Sequence, residues 1–413
     1  MSITSYPELV RIAGSGNTVS IGGTNVDAFG RLRTSTPYTL FDSHNRYGSD
    51  PSFSTSTSGS GAITHLPNES TVSLGVSTAS GDEVVRQTFR VFPYQPGKSL
   101  LLLTTFKMDT AKTNLRQRVG YFNAANGVFL EQGANGITFV LRTSTSGTAS
   151  DARYAAKASW NGDKLDGTGA SGYTLDLTKT QILFMDFEWL GVGSVRCGFV
   201  IDGQFIVAHT FHNANQQTAV YMTTATLPIR YEITNTGSVA SASAMKQICS
   251  SMMSEGGYEA VSAEFAARRT SVLGTIGTTF LPLVSIRLNS SRLGAVVLPN
   301  RVAVLPTTNQ NYEVALFKNA TLTGASYVTG TFDNVDYDVS ATAISGGTMM
   351  QSDYITSSAQ GRAILAAPTG YNFDLQLGVS LAGVSDVYTI AIRTVSGATT
   401  GDAFGSLTFY DLT

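Results

Sequence analysis

Two carboxylates lie two residues apart in one predicted strand, and they are the first candidates for chemistry. Asp186 and Glu188 lie in the stretch QILFMDFEW (181–189). There Leu183, Met185 and Phe187 alternate with a second set of residues that includes the two acids. Residues two apart in a strand project from the same face, so we expect these carboxylates about 7 Å apart. Carboxylates separated by roughly 5–9 Å are typical of glycosidases, which divide acid and nucleophile or base roles between them. The pair equally suits a solvated or interface-facing polar patch, because Trp189 projects from the opposite face.

The remaining polar residues do not have the spacing that metal or cofactor binding requires. His209 and His212 are three apart, so a strand places them on opposite faces and they cannot chelate one metal ion without a bulge. The Gly-rich loop with Asn161, Asp163 and Asp166 lacks the tight spacing and the terminal Glu of a calcium loop, which favours an Asx-rich turn. No phosphate-binding, dinucleotide or nucleophile-elbow motif occurs. We therefore predict no cofactor, no metal site and no enzymatic activity.

A meander of predicted strands positions these residues. Gly191–Gly193 ends the strand that carries the acids, and Asp202-Gly203 then marks a two-residue type I′ hairpin. That turn predicts the cross-strand pairs Ile201 with Gln204, Cys197 with Ala208 and Arg196 with His209. An arginine opposite His209 disfavours a second cation, so the hairpin predicts a neutral imidazole.

The composition is typical of a chain that folds through strands and tight turns. Charged residues make up 14% of the 413 residues, 41 residues are Gly, and the net charge is −2. This charge gives no electrostatic footprint for nucleic acid or for an anionic membrane. Two cysteines argue against a disulfide framework, and Cys197 is predicted to be a buried small hydrophobe. The N-terminal sequence lacks the pattern of a signal peptide, so synthesis in a cytoplasm is expected.

The strand signals predict an all-β chain in four parts. Residues 1–82 contain short apolar pieces between polar tracts and are predicted to be an extended N-terminal arm that anchors the chain. Residues 83–257 are predicted to form a central jelly-roll or lectin-like β-sandwich. Residues 258–275 are predicted to be a linker with a short helix over 259–269, because that stretch has good helix formers and lacks Gly and Pro. Residues 276–413 are predicted to form a second, C-terminal β-sandwich.

An aromatic and arginine cluster distinguishes one stretch of the predicted arm, residues 27–47. Aromatic and arginine side chains are enriched at interface hot spots, and aromatic side chains contribute to stability only when they are removed from solvent. The candidate assembly interface consists of Phe29, Arg31, Leu32, Arg33, Tyr38, Leu40, Phe41 and Arg46.

Several long phrases resemble one known family. They are DAFGRLRTSTPYTLFDSHNRY (27–47), RQRVGYFNAANGVFLEQ (116–132), the stretch from DKLDGTG to FVIDGQ (163–204), LPIRYEITNTG (227–237) and MKQICSSMMSEGG (245–257). The order and length of these phrases are similar to those in virion structural proteins of tailed bacteriophages, especially marine and cyanobacterial ones. The resemblance covers about residues 20–257. It implies a component of a phage particle, and it supplies no catalytic residues.

Two hypotheses about function follow from the sequence. The first is a non-enzymatic virion structural protein at the particle surface, associated with the tail, baseplate or fibre or decorating the capsid. Its partners would be other virion proteins and further copies of itself, in a symmetric homo-oligomer such as a trimer. The alternative is a receptor-binding jelly roll that binds or cleaves host-surface glycan through Asp186 and Glu188. Neither hypothesis involves nucleic acid or a membrane.

Overall fold

The protein is built from β-strands. A computed structural model describes residues 36–259, 261–330, 334–356, 373–395 and 400–413, together with the strand backbones 8–11, 18–21 and 363–365. The regular helical elements in these ranges are two three-residue 3-10 turns, Lys157–Ser159 and Phe373–Leu375. The predicted all-β class is confirmed.

The first seventeen strands form an N-terminal hairpin and the central sandwich. They are β1 (Glu8–Arg11), β2 (Thr18–Ile21), β3 (Pro37–His44), β4 (Phe53–Ser58), β5 (Ala62–Leu66), β6 (Thr71–Val76), β7 (Glu83–Thr88), β8 (Ser99–Lys107), β9 (Leu115–Phe122), β10 (Gly127–Gly133), β11 (Gly136–Thr143), β12 (Ser150–Ala156), β13 (Gln181–Phe187), β14 (Val195–Ile201), β15 (Gln204–Phe211), β16 (Ile229–Asn235) and β17 (Ser243–Glu255).

Two antiparallel sheets make the central sandwich. The seven-stranded sheet has the order β12-β11-β10-β9-β16-β7-β4, and the eight-stranded sheet has the order β15-β14-β13-β8-β17-β6-β5, with β3 also paired to β17. Alternate residues of each strand face the other sheet, which is why one apolar core fills the space between them. Tyr121 lies fully buried in this core, where its single hydroxyl proton is shared between the carbonyls of Phe92 and Ala225 and its oxygen accepts from the Leu227 N–H.

The last thirteen strands form the second sandwich. They are β18 (Ala263–Arg268), β19 (Leu273–Ile276), β20 (Leu281–Leu288), β21 (Val297–Pro306), β22 (Asn311–Lys318), β23 (Thr321–Thr323), β24 (Val328–Thr329), β25 (Val335–Asp338), β26 (Ala343–Ser345), β27 (Thr348–Thr356), β28 (Ala363–Leu365), β29 (Val387–Thr394) and β30 (Gly401–Asp411). A five-stranded sheet (β18-β30-β21-β28, with β19 on β30) packs on a six-stranded one (β24-β25-β20-β29-β22-β27) around a separate core.

The two sandwiches are in direct contact. Arg90 of the first sandwich donates to the carbonyl of Phe373 at 2.5 Å and lies 3.2 Å from the Asp374 carboxylate. The Phe373 ring packs edge-on against Tyr258 at 4.8 Å between centroids and belongs to the core of the central sandwich. Gln376 adds a hydrogen bond from its side-chain amide to the Val91 carbonyl at 2.9 Å. The junction is therefore packed and hydrogen-bonded.

The prediction of an extended arm is wrong for residues 37–82. Strands β3, β5 and β6 belong to the eight-stranded sheet, and β4 is an outer strand of the seven-stranded sheet. Leu40 and Phe41 are each 3% exposed, and the Phe41 ring lies 5.9 Å from that of Phe53. A polar strand such as FSTSTS folds because it lies at an edge, where hydrogen bonding to β7 and a few inward residues suffice.

The predicted helix over 259–269 is also wrong. Ala263–Arg268 forms β18, which pairs antiparallel with β30. Ala267 is buried in the second core, whereas its neighbours Ala266 and Arg268 are exposed. Strand pairing overrides helix propensity here, because the alternation lets the segment cover one sheet edge.

The hairpin at Asp202-Gly203 has the predicted turn, and Ile201 faces Gln204. A register shift between Cys197 and Gly198 then changes the pairing, so that Cys197 faces His209 and Arg196 faces Thr210. The two predicted pairs beyond the bulge are therefore wrong by one residue. A bulge inserts one residue into one strand, and the turn sequence carries no sign of it.

Candidate functional site

The structure separates the predicted assembly residues. Leu40 and Phe41 lie in the core, and Tyr38 packs partly buried near Tyr258 at 6.1 Å between centroids, so these three belong to the body of this chain. Arg46 is exposed, with its guanidinium carbon 5.5 Å from the Tyr47 ring centroid. The other four candidates lie outside the described residues: Phe29, Arg31, Leu32 and Arg33.

Asp186 and Glu188 lie in different surroundings in the structure. Asp186 is largely buried and forms an ion pair with Arg196, its neighbour across β13 and β14. Burial raises the pKa of Asp186, and the Arg196 charge offsets this only in part. Glu188 lies just beyond the end of β13, is exposed, and accepts a hydrogen bond from the Ser194 N–H at 3.2 Å. The Asp186 carboxylate is thus paired with a positive charge, and the Glu188 carboxylate stabilises the turn between β13 and β14.

Neither tryptophan lines the acidic pair. Trp160 is 2% exposed inside the core, where its indole N–H donates to the Ala155 carbonyl at 3.1 Å. Trp189 packs on Tyr94 at 6.2 Å and donates to the Met222 carbonyl at 3.2 Å. Neither tryptophan therefore supplies a ring on which a sugar could stack beside Asp186 and Glu188.

The Gly-rich loop predicted to be an Asx turn covers a sheet edge. The N–H groups of Gly162 and Asp163 donate to the carbonyls of Ala208 and Val207, each at 3.0 Å. The Asn161 side chain completes the pairing through both of its polar atoms, with the carbonyl and N–H of Thr210. A Cβ at position 162 would lie 2.3 Å from the Val207 carbonyl oxygen, so only glycine fits here. The loop protects the outer strand β15 from further pairing.

His209 is a half-buried, neutral side chain. Burial, together with the nearby charges of His212 and Arg153, lowers its pKa to about 4. Its Nδ1 accepts from the Asn161 N–H at 3.4 Å. The predicted neutral state thus arises from burial and Arg153 rather than from the predicted pairing with Arg196. Across the described ranges there is no group of three or more His, Cys, Asp and Glu side chains that could hold a metal ion.

The outer face of the seven-stranded sheet carries a network that sequence reasoning missed. It is called the arginine–carboxylate network below and consists of Arg116, Arg118, Arg142, Arg230, Glu131, Asp151 and Glu232. The register places Arg118 directly between Glu131 and Glu232 on three adjacent strands. These residues alternate with inward-facing ones along each strand, so the sequence alone shows them only as separate charges.

Glu232 is the centre of this network. Its Oε1 lies 3.0 Å from Arg116 and 3.4 Å from Arg118, and its Oε2 lies 2.7 Å from Arg230. Burial disfavours the ionised carboxylate, but the charges of Arg230, Arg118 and Arg116 outweigh burial and lower the pKa of Glu232. Arg142 holds Asp151 through two hydrogen bonds of 2.7 Å each. Four guanidinium groups thus face three carboxylates, which leaves one positive charge in excess.

Aromatic rings lie beneath the guanidinium groups. Phe122 and Phe129 stack with centroids 4.4 Å apart, and both are fully buried. The guanidinium carbons of Arg118 and Arg142 lie 5.0 and 5.1 Å from the Phe129 centroid, a distance at which cation–π attraction operates. Gly120 makes room for Phe129, because a Cβ there would lie 2.6 Å from the Phe129 Cα.

A cleft of about 680 Å³ opens at one end of the network. Its lining includes Lys112, Arg116, Arg118 and Glu131, together with the turn after β10. Lys112 is fully engaged, because its ammonium donates to Asp109, Ser243 and the Ala242 carbonyl. The Nε–H of Arg116 is buried and has no hydrogen-bond partner. The lining thus holds three cationic side chains and one carboxylate, and the unpaired Nε–H of Arg116 is shielded from solvent.

Known proteins give few points of comparison. No protein-family model matches the chain, and no curated protein is significantly similar in sequence. Among solved structures, the carbohydrate recognition domain of Emp47p is 10% identical, with a TM-score of 0.33, over 54% of this chain and 97% of that domain. The β-glucanase of Bacillus licheniformis is 10% identical, with a TM-score of 0.32, over 53% of this chain and 98% of the enzyme.

A phage protein is also among the similar structures. The CBM2 module of an evolved Dit from Lactobacillus casei BL23 phage J-1 is 5% identical, with a TM-score of 0.35, over 55% of this chain and all of that module. At TM-scores this low, these likenesses assign neither a fold family nor an activity to the chain. No helix in the described ranges is long and apolar enough to cross a membrane.

Proposed function

We propose that the chain is a non-enzymatic structural protein of a bacteriophage particle, made in the host cytoplasm and carried at the particle surface. The observation that carries this proposal is the packed junction between the two sandwiches. There Arg90 of the first sandwich forms a hydrogen bond with the Phe373 carbonyl and an ion pair with Asp374. A surface component must hold its outer domain in a fixed relation to its anchored domain, and a loosely linked pair would not do so.

The charge pairing supports the same proposal. Asp186 is neutralised by Arg196, and Glu232 is neutralised by three arginines. Carboxylates paired with arginines in this way are poorly placed to exchange protons with a substrate, and Glu232 in addition braces adjacent strands. Two of the phrases that resemble phage proteins, residues 116–132 and 227–237, form β9, β10 and β16 and so build this braced face.

The particle anchor in this proposal is shorter than the sequence predicted. Residues from Pro37 onward belong to the body, which leaves Phe29, Arg31, Leu32 and Arg33 as the assembly candidates. A Phe29→Ala variant supplied in trans should fold normally but enter particles at roughly one tenth of normal occupancy or less, about 1.4 kcal/mol per tenfold. Tyr154→Ala, which removes a half-exposed aromatic of the body, is the control.

Purified particles provide the decisive measurement. Mass spectrometry should find the chain at a fixed stoichiometry, and antibody against the C-terminal sandwich should label intact particles at one location. A chain that is abundant in infected cells but absent from purified particles would refute the proposal. Normal incorporation of the Phe29→Ala variant would instead leave the particle role standing and move the anchor elsewhere.

The cleft beside the network favours one second candidate, the binding of an acidic glycan. Its volume lies within the range typical of ligand pockets, roughly 300–1,000 Å³, and its lining holds the cations Lys112, Arg116 and Arg118 against one carboxylate, with the Arg116 side chain partly exposed. A glycan array with neutral and carboxylated sugars should give hits among the carboxylated ones only. Arg116→Ala should abolish them, whereas Arg292→Ala, an exposed arginine of the second sandwich, should not. Hits that persist in Arg116→Ala, or no hits at all, would exclude this site.

A further inference from the structure

Strand β27 is an open edge of the six-stranded sheet. It pairs with β22 on one side, and no strand of the described residues pairs with its other side. Apolar residues are exposed along it: Met349 is 43% exposed, Met350 39% and Tyr354 64%. A nine-residue strand with free backbone groups and exposed apolar side chains is a template for pairing with another chain.

The usual protection of an edge is weak in β27. The strand contains one charged residue, Asp353, and neither Lys nor Pro. A register shift between its pairings with Leu316 and Phe317 places a bulge at Met350, so the regular part begins at Gln351. The edge strand β15 of the central sandwich offers a contrast, because the loop at Asn161 covers it. Among the described residues, one edge is thus covered and the edge at β27 is open.

The sequence of β27 is self-complementary. Read outward from Ser352 in both directions, TMMQSDYIT places residues of matching character at equal distances. We propose that β27 pairs antiparallel with β27 of a second copy, about a two-fold axis at Ser352. The cross-strand pairs in the regular part of the strand are then Ser352 with Ser352 and Gln351 with Asp353, and Met350 at the bulge lies against Tyr354.

Each pair in this register is chemically favourable. An amide donates to a carboxylate where Gln351 meets Asp353, and apolar side chains meet at Met350 with Tyr354. A register shifted by one residue to centre on Asp353 would place two carboxylates opposite each other, which is unfavourable. A two-fold axis makes the contact isologous, so a second copy is the partner that this sequence fits.

Main-chain groups of β27 point toward its free edge, where the second copy would pair. The Tyr354 N–H donates to the Asp353 Oδ1 at 2.8 Å, a local bond that occupies a donor which the ladder with β22 does not use. Main-chain groups of residues two apart in a strand point to the same side, so those of Ser352 share the free edge. The partner strand supplies the carbonyl that replaces the Asp353 oxygen. Two six-stranded sheets thereby join into one continuous sheet.

Cysteine cross-linking tests the register on the purified full-length chain. Residues facing each other in a hydrogen-bonded antiparallel pair have Cα atoms about 5.5 Å apart, within the range of a disulfide. Ser352→Cys should therefore form a covalent dimer under mild oxidation. Cys249 is exposed and is replaced by Ser in all variants, whereas Cys197 is buried and is kept.

The matched control uses an exposed position four residues away. The two Cα atoms of Thr356 would lie roughly 26 Å apart across the axis, so Thr356→Cys alone should not cross-link. A mixture of the Gln351→Cys and Asp353→Cys variants, which face each other in the regular part of the strand, should form a mixed dimer. Equal cross-linking of Ser352→Cys and Thr356→Cys, or none by Ser352→Cys, would overturn the proposed register.

Sedimentation equilibrium over a range of concentrations tests the association itself. Tyr354→Lys places a charge against Met350 of the second copy and should weaken dimerisation at least tenfold. Val328→Lys, on the opposite edge strand β24, is the control and should dimerise like the unmodified chain. A monomer at every concentration, a trimer, or unchanged association of Tyr354→Lys would each overturn the proposal. These measurements need no particle and are independent of the phage assignment.

Discussion

The two sheets of the central sandwich share a core but differ on their outer faces. The seven-stranded sheet carries the arginine–carboxylate network over buried Phe122 and Phe129. The eight-stranded sheet carries an apolar outer patch, with the Phe184 and Phe205 ring centroids 5.1 Å apart, and separate ion pairs of Asp186 with Arg196 and of Lys246 with Glu69. A buried, multiply paired carboxylate braces a sheet, whereas a carboxylate with one exposed partner contributes little.

The largest expected effect is that of Glu232→Gln. Three guanidinium groups lose their shared carboxylate in a buried setting, and we expect the free energy of unfolding to fall by about 3–5 kcal/mol at neutral pH. The measurement is urea unfolding, because guanidinium chloride would screen the charges. A loss below about 1 kcal/mol would show that the network is solvated and not a brace.

The pH dependence of the same residue has a defined sign. The pKa of Glu232 is lowered in the folded chain, so its contribution to stability is present above the unfolded value, about 4.3, and is lost as the pH falls through the folded value. The unmodified chain should lose this stability on acidification below about pH 4.3, and Glu232→Gln should lack that part of the acid transition.

A large effect of a different kind is expected for Phe41→Ala. Phe41 contacts Phe53 and Phe92 between the sheets, and truncation of a buried Phe leaves a cavity. We expect the free energy of unfolding to fall by about 3 kcal/mol with little dependence on salt, in contrast to Glu232→Gln. An unchanged melting temperature would restore the idea that residues near 41 are an interface rather than core.

His209→Gln should have a smaller effect that depends on pH. The pKa of His209 is lowered to about 4, so the unfolded chain binds a proton first as the pH falls from about 6.5 to about 4. The unmodified chain loses stability over that window, by about 1 kcal/mol once solvent screening of the half-exposed ring is allowed for. His209→Gln should remove this pH-dependent loss of unfolding free energy. His44→Gln, which changes an exposed histidine, is the control and should leave the loss unchanged.

The smallest effect, with the opposite sign, is expected for Asp186→Asn. Burial raises the pKa of Asp186, so ionisation opposes folding at neutral pH, and its partner Arg196 is 57% exposed. We expect a change of at most about 0.5 kcal/mol, toward higher stability. If Asp186→Asn destabilises the chain as much as Glu232→Gln does, the distinction between the two faces is wrong.

The predictable part of the fold is the part that local sequence determines. The Asp202-Gly203 turn and the alternation around Leu183 specify strands through turn chemistry and periodicity. The strand at Ala263–Arg268 and the inclusion of Phe53–Ser58 depend on partners far away in sequence, and the bulge opposite Cys197 has no signal in the turn residues. The network was hidden for the same reason, because Arg118 meets Glu232 only through the pairing of β9 with β16.

The position of β17 in its sheet has a consequence for synthesis. This strand lies between β8 on one side and β3 and β6 on the other, so the eight-stranded sheet lacks its central member until Ser243–Glu255 has been translated. At roughly 5–20 residues per second, β8 waits on the order of ten seconds for that partner. The nascent chain must keep its early strands apart during this interval, and a polypeptide released before Glu255 has no route to the native sheet.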